Sequence, residues 1–349
     1  MFAQSIQIGE KTISHDNPVF IIAEAGVAHF GSVENAKLLI DMAVEANADA
    51  VKFQIFSTDE LVSSTCPEWQ ERLRSKELPY EAFIELKDYC ERKGIMFLAT
   101  AHEEKSFEFL KTLEVPAYKV GSGELENYSF LNKIFAEEKP VILSTGLHTR
   151  EAIENIAKIA TTNNNPNLIL LHCNTAYPTP VEHSSLKCIW WLRDKFRTLV
   201  GYSDHTIGYT VPIAAVALGA CVIEKHICLD KNTKGSQDCK VACDQHDLSL
   251  FVQAVRDTEA AIGHYEKHLS QEVKTSSLWA RKSIVAARDL RSGEVITQAD
   301  VVIRRPGTGI SPADLDKVLG RRVLKPLSRD SLIQWDDIEC QTLQEKSAF

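Results

Sequence analysis

Eight short apolar runs recur through residues 1–265, at 19–26, 48–56, 94–101, 117–123, 140–146, 168–174, 198–205 and 221–229. Each is nearly unbroken by polar residues until its last positions. Between them lie stretches of helical period, among them 33–46, 81–93, 150–160 and 248–262. A strand with one wet face alternates polar and apolar residues. A strand buried on both faces does not, and such strands belong to parallel sheets covered by helices. Eight strand–helix units in this length are the count of an α/β chain folded as a (β/α)8 TIM barrel, with a doubly wound sheet as the competing arrangement. Polar residues at the C-terminal ends of the runs favour the barrel, because barrel enzymes build their sites at that rim. Glu24 ends the first run, the second carries Lys52 and Gln54, and the third ends near Thr100. The fourth supplies Lys119, Ser122 and Glu124, and the fifth Ser144 and Thr145; the sixth ends at His172–Asn174, the seventh at Ser203–His205 and the eighth at Glu224–His226.

The pattern changes beyond residue 265. Residues 266–280 are polar and read as a linker with some helical character. Residues 281–340 read as a small, turn-rich β domain, with strands at 284–287 and 295–297 on either side of Arg291-Ser292-Gly293-Glu294, and a loop at Arg305-Pro306-Gly307-Thr308-Gly309. Residues 341–349 form a polar tail.

Composition narrows the function. Hydrophobic residues at 44% and charged residues at 25% exclude a mostly disordered chain. A net charge of −9 argues against a general nucleic-acid binder, though local lysines can still hold an anion. Nine scattered cysteines, several inside apolar runs, read as reduced thiols of a cytoplasmic protein. Cys239 and Cys243 have no second pair at zinc-finger spacing. The first apolar run has no basic segment before it and is cut by Glu24, so no signal peptide is read. The longest apolar run, 211–223, has 13 residues, and a membrane span needs about 18 or more.

His205 and His226 end consecutive runs, so a barrel brings two imidazoles close enough to share a divalent ion, with open positions for water or substrate; two histidines satisfied within loops are the plainer alternative. Lys52 and Lys119 lie inside apolar runs, where a lysine is costly unless an anion neutralises it. That anion is a phosphate or carboxylate ligand, or else Glu24 or Glu124. Gly121-Ser122-Gly123 allows close backbone approach, and Ser144-Thr145-Gly146 adds hydroxyl donors. Glu24 and Glu124 could orient water, hold sugar hydroxyls or act as general base, or simply pair with the lysines. Tyr177-Pro178-Thr179-Pro180 is a rigid loop able to wall a pocket.

Taken in order, several segments resemble the sialic acid synthase family. They are Ile22-Ala23-Glu24-Ala25-Gly26, Val51-Lys52-Phe53-Gln54, Ala117-Tyr118-Lys119-Val120-Gly121-Ser122-Gly123-Glu124, Pro140-Val141-Ile142-Leu143-Ser144-Thr145-Gly146, His172-Cys173-Asn174-Thr175-Ala176-Tyr177-Pro178-Thr179-Pro180 and Gly201-Tyr202-Ser203-Asp204-His205-Thr206. Arg304-Arg305-Pro306-Gly307-Thr308-Gly309 resembles the antifreeze-like (SAF, β-clip) domain that closes those enzymes. The resemblance implies condensation of phosphoenolpyruvate with an N-acetylated mannose-type sugar and water, giving a sialic acid (N-acetylneuraminate or a close analogue) and phosphate. It implies that Lys52, Thr100, Lys119, Ser122, Ser144 and Ser203 bind phosphoenolpyruvate, and that His205 and His226 hold a divalent metal, Mn²⁺ in the first place, with Mg²⁺ or Co²⁺ also suitable. Glu24 and Glu124 match acidic residues near sugar and water. Gln54, Asn174, Thr175, Tyr177 and Asp238 complete the implied substrate set. Arg305 matches an arginine that reaches the sugar's N-acetyl group from the partner of a domain-swapped homodimer.

Some positions depart from the family pattern. Ala28 stands where many members carry Asn, and Asn174-Thr175 reverses the polar order of some. In Lys234-Gly235-Ser236-Gln237-Asp238-Cys239-Lys240-Val241 the usual His is missing and Gln237 looks inserted. An acceptor of the 2,4-diacetamido-2,4,6-trideoxyhexose type, leading to a legionaminic or pseudaminic acid, is therefore the alternative. Condensation on a phosphorylated sugar fits less well, since no further basic cluster is present, and a non-catalytic sugar- or ice-binding protein fits least.

Overall fold

Burial explains why the eight runs close into a barrel. The computed structural model describes residues 1–233, 236–263 and 266–340. Two strands come first, β1 (Ser5–Ile8) and β2 (Lys11–Ser14). The eight runs follow as β3 (Phe20–Gly26), β4 (Ala50–Ile55), β5 (Met96–Ala101), β6 (Tyr118–Val120), β7 (Val141–Ser144), β8 (Leu168–Cys173), β9 (Leu199–Asp204) and β10 (Val222–His226). Every residue of β3, β6, β7, β9 and β10 is buried, so the absence of alternation has the cause expected of it. The spatial order is β5-β4-β3-β10-β9-β8-β7-β6, with each bonded pair parallel, and β5 packs beside β6 to complete the circle. Helices such as Val33–Glu45, Arg150–Thr162 and Gln245–Ile262 separate the strands and cover the outside. The Ser32, Thr149 and Asp244 side chains cap these three by accepting N–H groups of the first turn.

The fold is thus a TIM barrel. Its strand ends fall at the expected limits or up to three residues inside them. β1 and β2, not anticipated from sequence, form an antiparallel hairpin. Ile6, Ile8 and Ile13 pack with Phe20, Leu98, Ile169 and Leu199 in the barrel interior, so the hairpin plugs one end. The other end, where the strands terminate, is left for chemistry.

Gly201 marks a close approach in the barrel wall. A Cβ there would run into the carbonyl oxygen of Val222 and lie 2.6 Å from Leu171 Cδ2. Gly201→Ala is expected to destabilise by about 1–3 kcal/mol through overpacking. Thermal unfolding reads this directly, and an unchanged midpoint would mean that β10 yields without cost.

The chain divides into two compact units, Met1–Gly263 and His264–Phe349. In the second, the helix Gln271–Ala280 occupies most of the expected linker. The two strands β11 (Ser283–Ala286) and β12 (Val301–Arg304) then pair antiparallel over a small core containing Ile284, Leu290, Ile296 and Ile333. The strand expected at 295–297 is not formed. Val295 makes a single bridge to Arg322, and Asp300 bonds back to the N–H and hydroxyl of Thr297, turning 298–300 into a 3-10 segment. The 341–349 tail lies outside the described residues.

Candidate active site

Register sets the first layer of the site. In the parallel ladders Glu24 of β3 stands level with His226 of β10 on one side and Lys52 of β4 on the other. Gln54 pairs with Thr100, Glu224 with Ser203, and Ser203's other neighbour is Cys173. Residues distant in sequence therefore meet at one rim.

Four buried charges alternate across it. Lys52 Nζ lies 2.7 Å from Glu24 Oε2 and 3.2 Å from Glu224 Oε1. Lys119 Nζ lies 3.2 Å from Glu224 Oε2. Lys52 also donates to Thr100 Oγ1 at 3.1 Å, and Lys119 to Ser144 Oγ at 2.8 Å. Apart from these ammonium groups, Glu24 Oε2 and Glu224 Oε2 have no hydrogen-bond donor among the described residues, so each keeps a lone pair. Burial is the largest influence at Lys52 and opposes its charge, but Glu24 and Glu224 outweigh it and hold its pKa above the ordinary lysine value. At Lys119 burial prevails over Glu224, and Lys52 adds to the lowering. Burial would raise Glu224, yet the two ammonium groups hold it below the usual carboxylate range.

Gly26 makes the Glu24 conformation possible. It has φ +53°, and a Cβ there would sit 3.1 Å from Glu24 Oε1 and 3.2 Å from Gln54 Nε2. Gln54 Nε2 donates to Glu24 Oε1 at 2.9 Å and fixes the carboxylate.

The histidines face each other, with ring centroids 5.3 Å apart. His205 Nδ1 is 2.7 Å from the carbonyl oxygen of Asn174, so it donates and leaves Nε2 with the lone pair. Burial first, then His226, lowers the His205 pKa to about 3. It is therefore neutral at pH 7, the ligand form. Tyr177 lies against His205 at 4.0 Å between centroids.

These groups line a cavity of about 300 Å³. Besides the charged quartet and the histidines, Gln54, Thr100, Ser122, Ser144, Thr175, Tyr177, Ser203 and Asp238 border it. Glu124 and Asn174 do not. Glu124 accepts from Asn127 Nδ2 at 2.8 Å, and the Asn174 amide turns to the carbonyl oxygen of His183 at 3.4 Å. Arg305 belongs to the second unit, where it lies over the Trp279 ring. Lys234 and Gly235 of the departing loop lie outside the described residues. Sequence reasoning passed over three lining residues, Glu224, His102 and Cys173. Glu224 was visible as a polar strand end, but only register places it between two lysines. Among the described residues no group of three or more His, Cys, Asp or Glu is arranged as a metal cage, Cys239 and Cys243 included.

Burial raises the Glu124 pKa against the pull of Asn127. A raised carboxyl favours the fold while protonated and loses that contribution as pH rises through its folded value. Glu124→Gln should flatten this part of the stability–pH curve. Unfolding midpoints of both proteins across the acid range check it; identical curves would contradict it.

Buried lysines, carboxylates and a histidine pair gather at the strand ends, the rim where (β/α)8 enzymes build their sites. The NeuB family matches residues 39–267 and the SAF domain matches 281–339, so the chain belongs to the NeuB family and carries a SAF domain. It is 38% identical to the N,N'-diacetyllegionaminic acid synthase of Legionella pneumophila, over 92% of this chain and 94% of that protein. It is 35% identical to the pseudaminic acid synthase of Campylobacter jejuni, over 95% and 99%. The crystal structure of the N-acetylneuraminic acid synthetase of Leptospira borgpetersenii, in complex with citrate, matches with TM-score 0.74 and 32% identity over 79% and 95%. Among the described residues, no helix is long and apolar enough to cross a membrane.

Proposed function

We propose that this protein condenses phosphoenolpyruvate with an N-acetylated six-carbon amino sugar and water, giving a nonulosonic acid and inorganic phosphate. The observation that carries this reading is the buried Glu24–Lys52–Glu224–Lys119 chain beside the histidine pair. Lys52 and Lys119 would hold the carboxylate and phosphate of phosphoenolpyruvate, with Thr100, Ser122, Ser144 and Ser203 as hydroxyl partners. The enol C3 attacks the open-chain aldehyde carbon of the sugar, whose oxygen takes up a proton. Water adds to C2 and gives up a proton. Phosphate then leaves with the bridging oxygen, and the C2 hydroxyl becomes the keto group. Glu24, held at Oε1 by Gln54 and facing Lys52 through Oε2, would take the water's proton.

The two lysines and two glutamates sum to no net charge, and His205 is neutral. A multiply anionic substrate therefore calls for an added cation. His205 and His226 fit a divalent ion of the Mn²⁺ type, which supplies Lewis-acid polarisation when bound. The reading includes a homodimer in which Arg305 of one protomer serves the partner's barrel; a dilute monomer with full turnover would remove that element.

The acceptor is favoured to be a 2,4-diacetamido-trideoxyhexose. Asp238 of the altered stretch borders the cavity, and the legionaminic acid synthase is 38% identical to this chain, against 32% for the N-acetylneuraminic acid synthetase of Leptospira borgpetersenii. Phosphate release with Mn²⁺ is to be measured against N-acetylmannosamine, diacetamido-trideoxy mannose and altrose isomers, and arabinose 5-phosphate. Release with a diacetamido sugar is expected. Release with N-acetylmannosamine alone would make the product a sialic acid, and release with none would overturn the proposed chemistry.

A further inference from the structure

Behind the two histidines, facing away from the cavity, lies an ion pair that the proposed chemistry does not use. Lys225 precedes His226 and Asp204 precedes His205, so alternation along each strand turns both away from the rim interior. Lys225 is 1% and Asp204 0% exposed, and neither lines the cavity. Lys225 Nζ donates to Asp204 Oδ2 at 2.6 Å and to the carbonyl oxygen of Thr206 at 2.7 Å. Thr206 Oγ1 donates to Asp204 Oδ1 at 2.9 Å, and its N–H reaches the same oxygen at 3.2 Å.

The ladder register shows what this cluster does. β9 and β10 pair through Ile223–Tyr202, Glu224–Ser203 and Lys225–Asp204, and the pairing stops there. His226 continues level with Glu24 of β3, not with His205. The backbone ladder between the two histidine-bearing strands thus ends one residue short of each imidazole. The Lys225 ammonium carries the connection further. It grips residues on both sides of His205, Asp204 before it and Thr206 after it, from the position next to His226.

We infer that the buried Lys225–Asp204–Thr206 cluster is a positioning device that fixes the separation of His205 and His226 and so sets their affinity for a divalent ion. This rests on the metal reading above. A buried ion pair is a weak source of stability, since an apolar pair of similar volume fills such a place as well or better. Its value here is directional: an ammonium with two fixed acceptors holds two strand ends in one geometry. Partners behind metal-bound histidines typically change affinity by about 10- to 100-fold.

The test separates position from stability. Mn²⁺ affinity by calorimetry and the unfolding midpoint of the metal-free protein are to be measured for the full chain, Lys225→Met, and the double variant Lys225→Met/Asp204→Leu. The single variant leaves Asp204 buried without its partner and should lose both stability and affinity. The double variant removes both charges but leaves the buried Thr206 groups unpaired, so it should regain part of the midpoint while binding Mn²⁺ about 10- to 100-fold more weakly than the unaltered protein. Recovery of both would show a merely structural pair and overturn the inference. Should the double variant fail to fold, Asp204→Asn is read instead. It keeps the size and an acceptor, a several-fold weakening is expected, and unchanged affinity overturns the inference. Absence of Mn²⁺ binding by the unaltered protein would overturn the metal reading and this inference together, whereas tight binding shared by every variant overturns the inference alone.

Discussion

Lys52→Met is expected to give a protein that unfolds at markedly lower temperature and shows no acceptor-dependent phosphate release. Among the described residues Lys52 is the one cation placed between Glu24 and Glu224, and all three side chains are at most 5% exposed. Removing one partner of a buried pair strands a desolvated charge and costs about 3–5 kcal/mol. Here two carboxylates lose it, and only Glu224 keeps another lysine, Lys119. The fold answers by protonating a carboxyl, which raises that group's folded pKa above its unfolded value. The variant's deficit should therefore shrink as pH falls toward the carboxylate range and grow as pH rises through the raised value. Lys52→Met/Glu24→Gln should recover much of the stability without recovering turnover. Thermal unfolding from acid to neutral pH, with phosphate release alongside, checks both halves. A variant as stable as the parent at neutral pH would show that the quartet is not coupled as the distances indicate.

His205→Ala is expected to leave the barrel folded and lower Mn²⁺-dependent kcat/KM by on the order of 10³, the rate equivalent of several kcal/mol of Lewis-acid stabilisation. The imidazole's polar contacts are the Asn174 carbonyl oxygen and, at 3.7 Å, Cys173 Sγ, so few bonds are lost with it. His226→Ala should behave alike, because two ligands on adjacent strands serve one ion. Steady-state kinetics over a Mn²⁺ series, with unfolding of the metal-free variants, separates loss of ligand from loss of fold. Full turnover in either variant would contradict the shared-ion reading.

The barrel was legible because its signal is long-range in origin but local in appearance. A strand covered on both faces must be apolar throughout, and β3, β7, β9 and β10 announce this residue by residue. The β1–β2 hairpin was not legible: each strand has four residues, too few for the alternation of Ser5-Ile6-Gln7-Ile8 to stand out. Helix Pro67–Arg74 buries no residue and so left no apolar stripe to read. In the second unit, Val295-Ile296-Thr297 has strand composition, but Asp300 recaptures Thr297, a side-chain preference that overrides the local one. At the site, Lys52, Lys119 and the histidines stood out because charge inside an apolar run is costly. Glu224 was visible as a polar strand end, but nothing along the sequence sets it beside Lys52 and Lys119. In the fold successive residues point apart, so Glu224 joins Lys52 and Lys119 inside while Lys225 joins Asp204 outside. Glu124 and Asn174 had the right chemistry next to the right strands, but Glu124, in the 3-10 segment Ser122–Glu124, bonds Asn127, and the Asn174 amide bonds the His183 carbonyl oxygen.

The decisive measurement uses phosphoenolpyruvate carrying ¹⁸O in the bridge between C2 and phosphorus, incubated with Mn²⁺ and the acceptor that supports turnover. Mass spectrometry of both products should show the label in inorganic phosphate and an unlabelled 3-deoxy-2-keto acid three carbons longer than the acceptor. Label retained in the keto acid would mean cleavage between oxygen and phosphorus and would contradict water addition at C2. Phosphate formed without any elongated sugar would contradict the synthase itself.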